Sequence, residues 1–209
     1  MAVDFNFKEK YQFNDLVDIV RILREPGGCP WDMEQTHQSI RENFLEETYE
    51  VIEAIDTNNK ELMQEELGDV LLQVLMHADM ARTDGWFTID EVANDICQKL
   101  IIRHPHVFGD ISVSSTGEVL KNWDDIKRQT KKQKSQSEAM AAIPATYPAL
   151  MKAQKVQEKA KKAGFDWRDS QGAFDKIAEE SKELQEVLAT GDKEKIEDED
   201  IENLIIQQI

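Results

Sequence analysis

Residues 65–81 read EELGDVLLQVLMHADMA, and this stretch decides which fold the chain can adopt. From residue 67 onward, its side chains that are neither apolar nor glycine are Asp69, Gln73, His77 and Asp79. A helix that is apolar nearly all round is a buried helix. Because an ionised acid is almost never buried without a partner, Asp69 needs a cation close by.

Four acids form two pairs, each spaced three residues apart. Glu47 and Glu50 lie in LEETYEVIEAI (residues 45–55), and Glu66 and Asp69 lie in the apolar stretch. On a helix, residues three apart project from the same side. Two such pairs facing each other would supply four oxygen ligands. That set suits Mg²⁺ or Mn²⁺ rather than zinc or copper.

Helical angles separate these acids from their neighbours. At about 100° per residue, Glu47 falls inside the apolar arc of its helix and Glu50 lies at the border. Glu46 and Glu53 fall on the opposite face. We therefore interpret Glu53 as an ordinary surface acid of an acidic protein. The helical angle alone favours the same interpretation for Glu46.

Composition restricts the class of protein. The chain has 209 residues, 40% of them hydrophobic and 32% charged, which is typical of a soluble globular protein. The net charge of −17 argues against a nucleic-acid or anionic-membrane surface, because phosphates would be repelled. No apolar run could span a bilayer and no signal-peptide pattern is present. With only Cys29 and Cys97, a disulfide framework is excluded and a reducing cytoplasm is expected.

The pattern predicts helices throughout, with no alternating strand-like runs. A first helix is predicted over 13–24, ended by Pro-Gly-Gly, and a second begins somewhere after residue 32 and runs to about 56. The apolar helix follows and ends near residue 85. Thr88 and Glu91 predict a capping box for a fourth helix, which a proline stops.

The fourth predicted helix carries two cations beside its apolar stripe. Val92, Ile96 and Leu100 define the stripe, and Lys99 and Arg103 fall on the same side. In one reading the cations snorkel or pair with acids of a neighbouring helix. In the other they bind substrate phosphates.

Six strings together resemble the MazG nucleoside triphosphate pyrophosphohydrolases. They occur in family order from about residue 16 to residue 167: GGCPWDMEQTHQSI, LEETYEVIEAI, EELGDVLLQVLMHA, KLIIRHPHVFGD, NWDDIKRQTKKQK and IPATYPALMKAQKVQEKAKKAGFDW. The resemblance implies an all-α helical bundle. A buried helix such as residues 67–81 needs cover on all sides, so we expect a homodimer whose bundle spans both subunits. The resemblance also implies Mg²⁺-dependent hydrolysis of nucleoside triphosphates to nucleoside monophosphate and pyrophosphate, with Mn²⁺ as the alternative metal.

The resemblance also implies roles for individual residues. The metal ligands would be Glu47, Glu50, Glu66 and Asp69. The catalytic residues would be Glu46, Glu47, Lys99 and Arg103. The substrate-binding residues would be Trp31, Lys99 and Arg103. The chain departs from the family at Cys97, where the most active copies carry an asparagine that contributes to the nucleotide contact.

The family usually carries two copies of this unit, and a second copy is visible. GCPWD (28–32) is echoed by GFDWR (164–168), and EETYE by EESKE. Asn203 stands where the next acid of the second copy is expected, so the second set of metal ligands is incomplete. We predict an N-terminal MazG-like domain over 1–120, a helical linker segment over 121–160 and a degenerate, truncated second unit over 161–209.

Two other functions are compatible with the sequence. One is a weakly active or inactive helical binding or assembly module. The other is a narrower, dUTPase-like house-cleaning pyrophosphatase. A di-iron carboxylate bundle is disfavoured because it needs Glu-x-x-His, and neither Glu47 nor Glu66 has a histidine three residues on. The predicted partners are nucleoside triphosphates and a second copy of the chain, without nucleic acid or membrane.

Overall fold

A computed structural model describes residues 5–130, 135–164 and 169–190, and every regular element within these ranges is a helix. The predicted all-α class is therefore confirmed. None of the described helices is long and apolar enough to cross a membrane. Much of the second copy, including residues 165–168 and Asn203, lies outside the described residues.

The chain divides into two compact units at Ile111 and Ser112, and the domain bounds stay a prediction. The described part of the first unit contains six helices: α1 (Phe13–Arg24), α2 (Pro30–Glu34), α3 (Arg41–Asp56), α4 (Lys60–Thr83), α5 (Ile89–Arg103) and α6 (Pro105–Phe108). The described part of the second unit contains α7 (Thr116–Thr130), α8 (Gln136–Ala141), α9 (Ala149–Lys162) and α10 (Ser170–Thr190).

Helix α4 organises the first unit. Helices α1, α3 and α5 all pack against it. Its C-terminal half is buried and supplies Leu75, Met76 and Met80 to a core that Val20 of α1 and Ile40 complete. The predicted burial thus holds for this half of α4, while Leu67 near its start is 52% exposed.

Glycines end α1 where the sequence predicts. Gly27 has φ of +96°, a conformation that other residues rarely adopt. At Gly28 a Cβ atom would lie 2.2 Å from the carbonyl oxygen of Ile22, so a side chain cannot be accommodated. The chain therefore turns back against α1 directly after Arg24.

Between α2 and α3 the backbone leaves the helix. The predicted second helix is α3, whose start at Arg41 lies after residue 32 as expected, whereas the short helix α2 was not predicted. The backbone N–H of Thr36 donates to Ser39 Oγ (2.9 Å), and the N–H of Ser39 donates to Thr36 Oγ1 (3.1 Å). Such side-chain bonds offer the backbone an alternative to helical pairing. The result is a tight loop over 35–40 that delivers Ile40 to the core.

Helix α5 begins as predicted, but its apolar stripe is exposed in the described part of the chain. Thr88 and Glu91 form the capping box, with the Glu91 N–H donating to Thr88 Oγ1 at 3.3 Å. The apolar stripe of Val92, Ile96 and Leu100 is nevertheless exposed. Among the described residues, none covers these apolar side chains fully.

A buried ion pair ties α1 to α4. Arg24 Nε donates to Asp79 Oδ2 at 3.1 Å, and the two side chains are 8% and 9% exposed. Arg82 donates to the other oxygen of Asp79 at 2.9 Å. Arg24 also donates to the backbone carbonyl of Asp32, so the same guanidinium holds α2 in place.

Four aromatic side chains, which we call the aromatic cluster, join the loop, α3, α4 and the segment after α4: His37, Phe44, His77 and Trp86. The Nδ1 atoms of His37 and His77 are 2.8 Å apart, while the ring centroids are 5.1 Å apart and the planes differ by 5°. The rings therefore meet edge to edge, with one nitrogen donating to the other. Trp86 stacks on His37 (5.3 Å between centroids), and Phe44 contacts His77 edge-on (5.9 Å).

This arrangement predicts a pH-dependent stability. Burial, and secondarily the neighbouring His37, lower the pKa of His77 below its ordinary value. As the pH falls through about 6.5, the unfolded chain takes up a proton that folded His77 does not, so the fold loses stability. Phenylalanine cannot titrate. The free energy of unfolding of the wild type should therefore fall relative to that of His77→Phe between about pH 7.5 and pH 5, measured by urea titration. A constant difference between the two proteins over that range would contradict this explanation.

Candidate metal centre

Helices α3 and α4 form an antiparallel hairpin through a short turn. Asn58 adopts φ of +50°, which asparagine tolerates better than most residues. The Asn59 side chain then caps α4 by accepting a hydrogen bond from the Leu62 N–H at 3.2 Å. Because the turn is this short, the two acidic motifs are held opposite each other.

The hairpin brings three carboxylates into one cluster. Glu47 of α3 and Glu66 and Asp69 of α4 each offer an oxygen, and these oxygens lie within 4.8 Å of one another. Glu66 is only 7% exposed, and the other two are half-buried. We call these three residues the carboxylate cluster.

Electrostatics show that the cluster is short of positive charge. Burial, a hydrogen bond with Glu50 and the nearby acids raise the pKa of Glu66 to about 6. Burial and the charges of Asp69, Glu50 and Glu46 raise the pKa of Glu47. Glu47 and Glu66 thus resist ionisation, because they are partly or fully buried and lie close to other acids. A set of oxygen donors that repel one another fits a hard divalent cation such as Mg²⁺ or Mn²⁺.

The neighbouring acids of α3 lie where their helical angles indicate. Glu50 is half-buried and hydrogen-bonds to Glu66, so it lies directly beside the carboxylate cluster. Glu46 and Glu53 are exposed. Glu46 still acts on Glu47 through its charge.

The predicted substrate-binding residues lie on other helices. Trp31, on α2, is 59% exposed. Lys99 is exposed on α5, and Arg103 is half-buried at the last residue of that helix, one turn further on. Their roles toward a substrate stay predictions.

The MazG nucleotide pyrophosphohydrolase domain matches residues 35–108, which include all four predicted metal ligands. The nucleoside triphosphate pyrophosphohydrolase of Escherichia coli K12 is 42% identical over 191 residues, which is 90% of this chain and 73% of that protein. The chain belongs to the MazG family.

The chain is also similar to a second curated protein and to one solved structure. The nucleoside triphosphate pyrophosphohydrolase/pyrophosphatase MazG of Thermotoga maritima is 51% identical over 83% of this chain, and the chain spans 66% of its length. The crystal structure of a MazG-related protein from Thermotoga maritima is 28% identical, covers 55% of this chain and 98% of its own, and aligns with a TM-score of 0.47.

No sequence motif pointed to His37 or Trp86. His37 contacts His77 and Trp86, which lie 40 and 49 positions further along the chain. His77 did stand out as a polar residue in an apolar helix, and its partner became evident only from the fold. The one available signal was therefore the anomaly at His77 itself.

Proposed function

We propose that this MazG-family chain hydrolyses nucleoside triphosphates to nucleoside monophosphate and pyrophosphate in a Mg²⁺-dependent reaction. The observation that carries the proposal is the convergence of Glu47, Glu66 and Asp69 within 4.8 Å. These residues lie inside the segment that matches the MazG domain. Without a bound cation, these acids lie close together with no positive charge to offset their repulsion.

The residues divide the chemistry between them. Glu47, Glu50, Glu66 and Asp69 would hold Mg²⁺, or Mn²⁺ in its place. The bound ion supplies positive charge that polarises a phosphoryl group and makes a nearby water more acidic. Hydrolysis adds one water across the bond between the α- and β-phosphates and releases the two products.

Three further side chains would act on the triphosphate and on the water. Glu46 is exposed beside Glu47. There it would orient the attacking water and accept a proton from that water. Lys99 and Arg103 would offset the negative charge that develops on the phosphate oxygens. In this proposal the cations of α5 serve the substrate rather than a neighbouring helix.

We also propose that two copies of the chain associate. The exposed apolar side chains include Leu45, Tyr49, Ile52 and Ile55 on α3, Leu67 on α4, and Val92, Ile96, Leu100, Ile101 and Ile102 on α5. A second copy that packs on these faces would bury them and complete the bundle. Cys29 and Cys97 are both free, in keeping with the proposed cytoplasmic location.

Product analysis tests the proposal directly. The purified chain is incubated with each ribonucleoside and deoxyribonucleoside triphosphate and Mg²⁺, and monophosphate and pyrophosphate are quantified. We expect equimolar products, none in EDTA and full recovery when Mg²⁺ is restored. Turnover confined to a single deoxyuridine-type or modified nucleotide would instead identify a narrower house-cleaning enzyme. A protein that Mg²⁺ stabilises against heat but that releases no pyrophosphate from any nucleotide would be a binding module.

A further inference from the structure

One face of α4 leads from the carboxylate cluster to the aromatic cluster. At about 100° per residue, Glu66, Asp69, Gln73 and His77 fall within an arc of about 80°. His77 lies eight residues beyond Asp69, which is about 12 Å along the helix axis. This spacing is comparable to the reach from the phosphates of an extended nucleotide to its base.

Helix α3 makes the same connection from the other side of the hairpin. Phe44, which contacts the edge of the His77 ring, lies three residues before Glu47, or about 4.5 Å along the axis. The aromatic cluster therefore adjoins the carboxylate cluster within one helical hairpin. It does not belong to a separate region of the unit.

Gln73 occupies the position between the two clusters. Its side chain is 9% exposed, and its Oε1 accepts no hydrogen bond from the described residues. A buried amide oxygen without a donor is costly. It lies one turn from Asp69 and one turn from His77, on the face that joins them.

Trp86 presents an aromatic surface at the far end of this path. Its indole is 64% exposed although one face stacks on His37, so the remaining surface is open to solvent. His37 is in turn fixed by its hydrogen bond to His77 on α4. The exposed ring therefore rests on a half-buried, hydrogen-bonded histidine pair.

We propose that Trp86, supported by His37 and His77, is the stacking surface for the nucleobase of a nucleotide whose phosphates lie at the carboxylate cluster. The proposal rests on the proposed function and adds the base-binding residues to it. Because every base has a π-face, such stacking adds affinity without selecting one base. Trp86 therefore binds the substrate rather than taking part in the chemistry.

Binding measurements on the full chain test the proposal. Two probes are titrated by calorimetry with Mg²⁺: a nucleoside triphosphate with a methylene bridge between the α- and β-phosphates, and inorganic tripolyphosphate, which has no base. We expect Trp86→Ala to weaken binding of the nucleotide about 5- to 160-fold, the range for loss of one base–aromatic stack. Binding of tripolyphosphate should be unchanged, and Trp86→Phe should restore most of the nucleotide affinity.

Phe87→Ala is the matched control, because Phe87 is the adjacent aromatic residue, is 41% exposed and lies outside the aromatic cluster. It should leave both affinities unchanged. Equal nucleotide affinity in Trp86→Ala and wild type would overturn the proposal. This holds also if Trp86→Ala changes the oligomeric state of the protein while its nucleotide affinity stays that of wild type. Failure of the proposed function is distinct, since it is seen as absent pyrophosphate release by the wild type.

Discussion

Asp69→Asn should reduce Mg²⁺-dependent pyrophosphate release at least about 100-fold, since even outer-shell partners of a metal cost 10- to 100-fold when removed. Asp69 lies in the carboxylate cluster, where its oxygen is within 4.8 Å of oxygens from Glu47 and Glu66. Asparagine keeps the shape of the side chain and one oxygen but removes the charge that a divalent ion requires. Glu50→Gln should have a similar effect, because Glu50 hydrogen-bonds to Glu66.

Asp69→Asn should not destabilise the metal-free protein. Asp69 contributes to the raised pKa of both Glu47 and Glu66, so removing its charge relieves repulsion. We expect unchanged helix content by circular dichroism, and a melting temperature in EDTA equal to or above that of wild type. The rise in melting temperature on adding Mg²⁺ should be smaller than in wild type. A structural role for Asp69 would give the opposite result, with full turnover and a lower melting temperature.

Glu53→Gln and Glu61→Gln are matched controls on the same two helices. Both residues are exposed acids outside the carboxylate cluster. Each substitution removes one negative charge and should leave turnover within about two-fold of wild type, as expected for surface positions. A large loss of activity in either control would mean that general charge, rather than the cluster, governs the rate.

Local features of the sequence predicted two helix boundaries and the burial of one acid in the first unit. Pro26 and the glycines after it predicted the end of α1 at Arg24, where the structure has it. The capping box predicted the start of α5, and Thr88 and Glu91 form it. Helical angle alone separated half-buried Glu47 from exposed Glu53. These predictions succeeded because each depends on residues within one or two helical turns.

The periodic apolar pattern revealed neither one local loop nor the features that depend on distant residues. The loop between α2 and α3 arises from a local exchange of hydrogen bonds between Thr36 and Ser39 that a periodic apolar pattern does not reveal. The pairing of His37 with His77 needs the loop to be folded against α4. The exposure of Val92 on α5 depends on which surfaces are present to cover it. Periodicity identifies the apolar side of a helix but not its neighbour.

Asp79→Ala should destabilise the fold by about 3–5 kcal/mol, the cost of leaving one member of a buried ion pair without its partner. The Arg24 guanidinium is 8% exposed and would keep its charge in a site that water scarcely reaches. Arg82 would lose the same partner but is 37% exposed and can turn toward solvent. The free energy of unfolding, from urea titrations of wild type and variant, measures the effect.

Asp18→Ala is the control, because it removes an aspartate that pairs with an arginine on the surface. Asp18 is 62% exposed and lies 3.5 Å from Arg21, so its loss should cost about 0–1 kcal/mol. The double variant Arg24→Met, Asp79→Leu should recover much of the stability lost in Asp79→Ala, since apolar residues of similar volume often replace a buried pair at little cost. A loss in Asp79→Ala no larger than that of the control would show that water reaches the pair. If the double variant were no more stable than the single one, packing rather than charge would account for the loss.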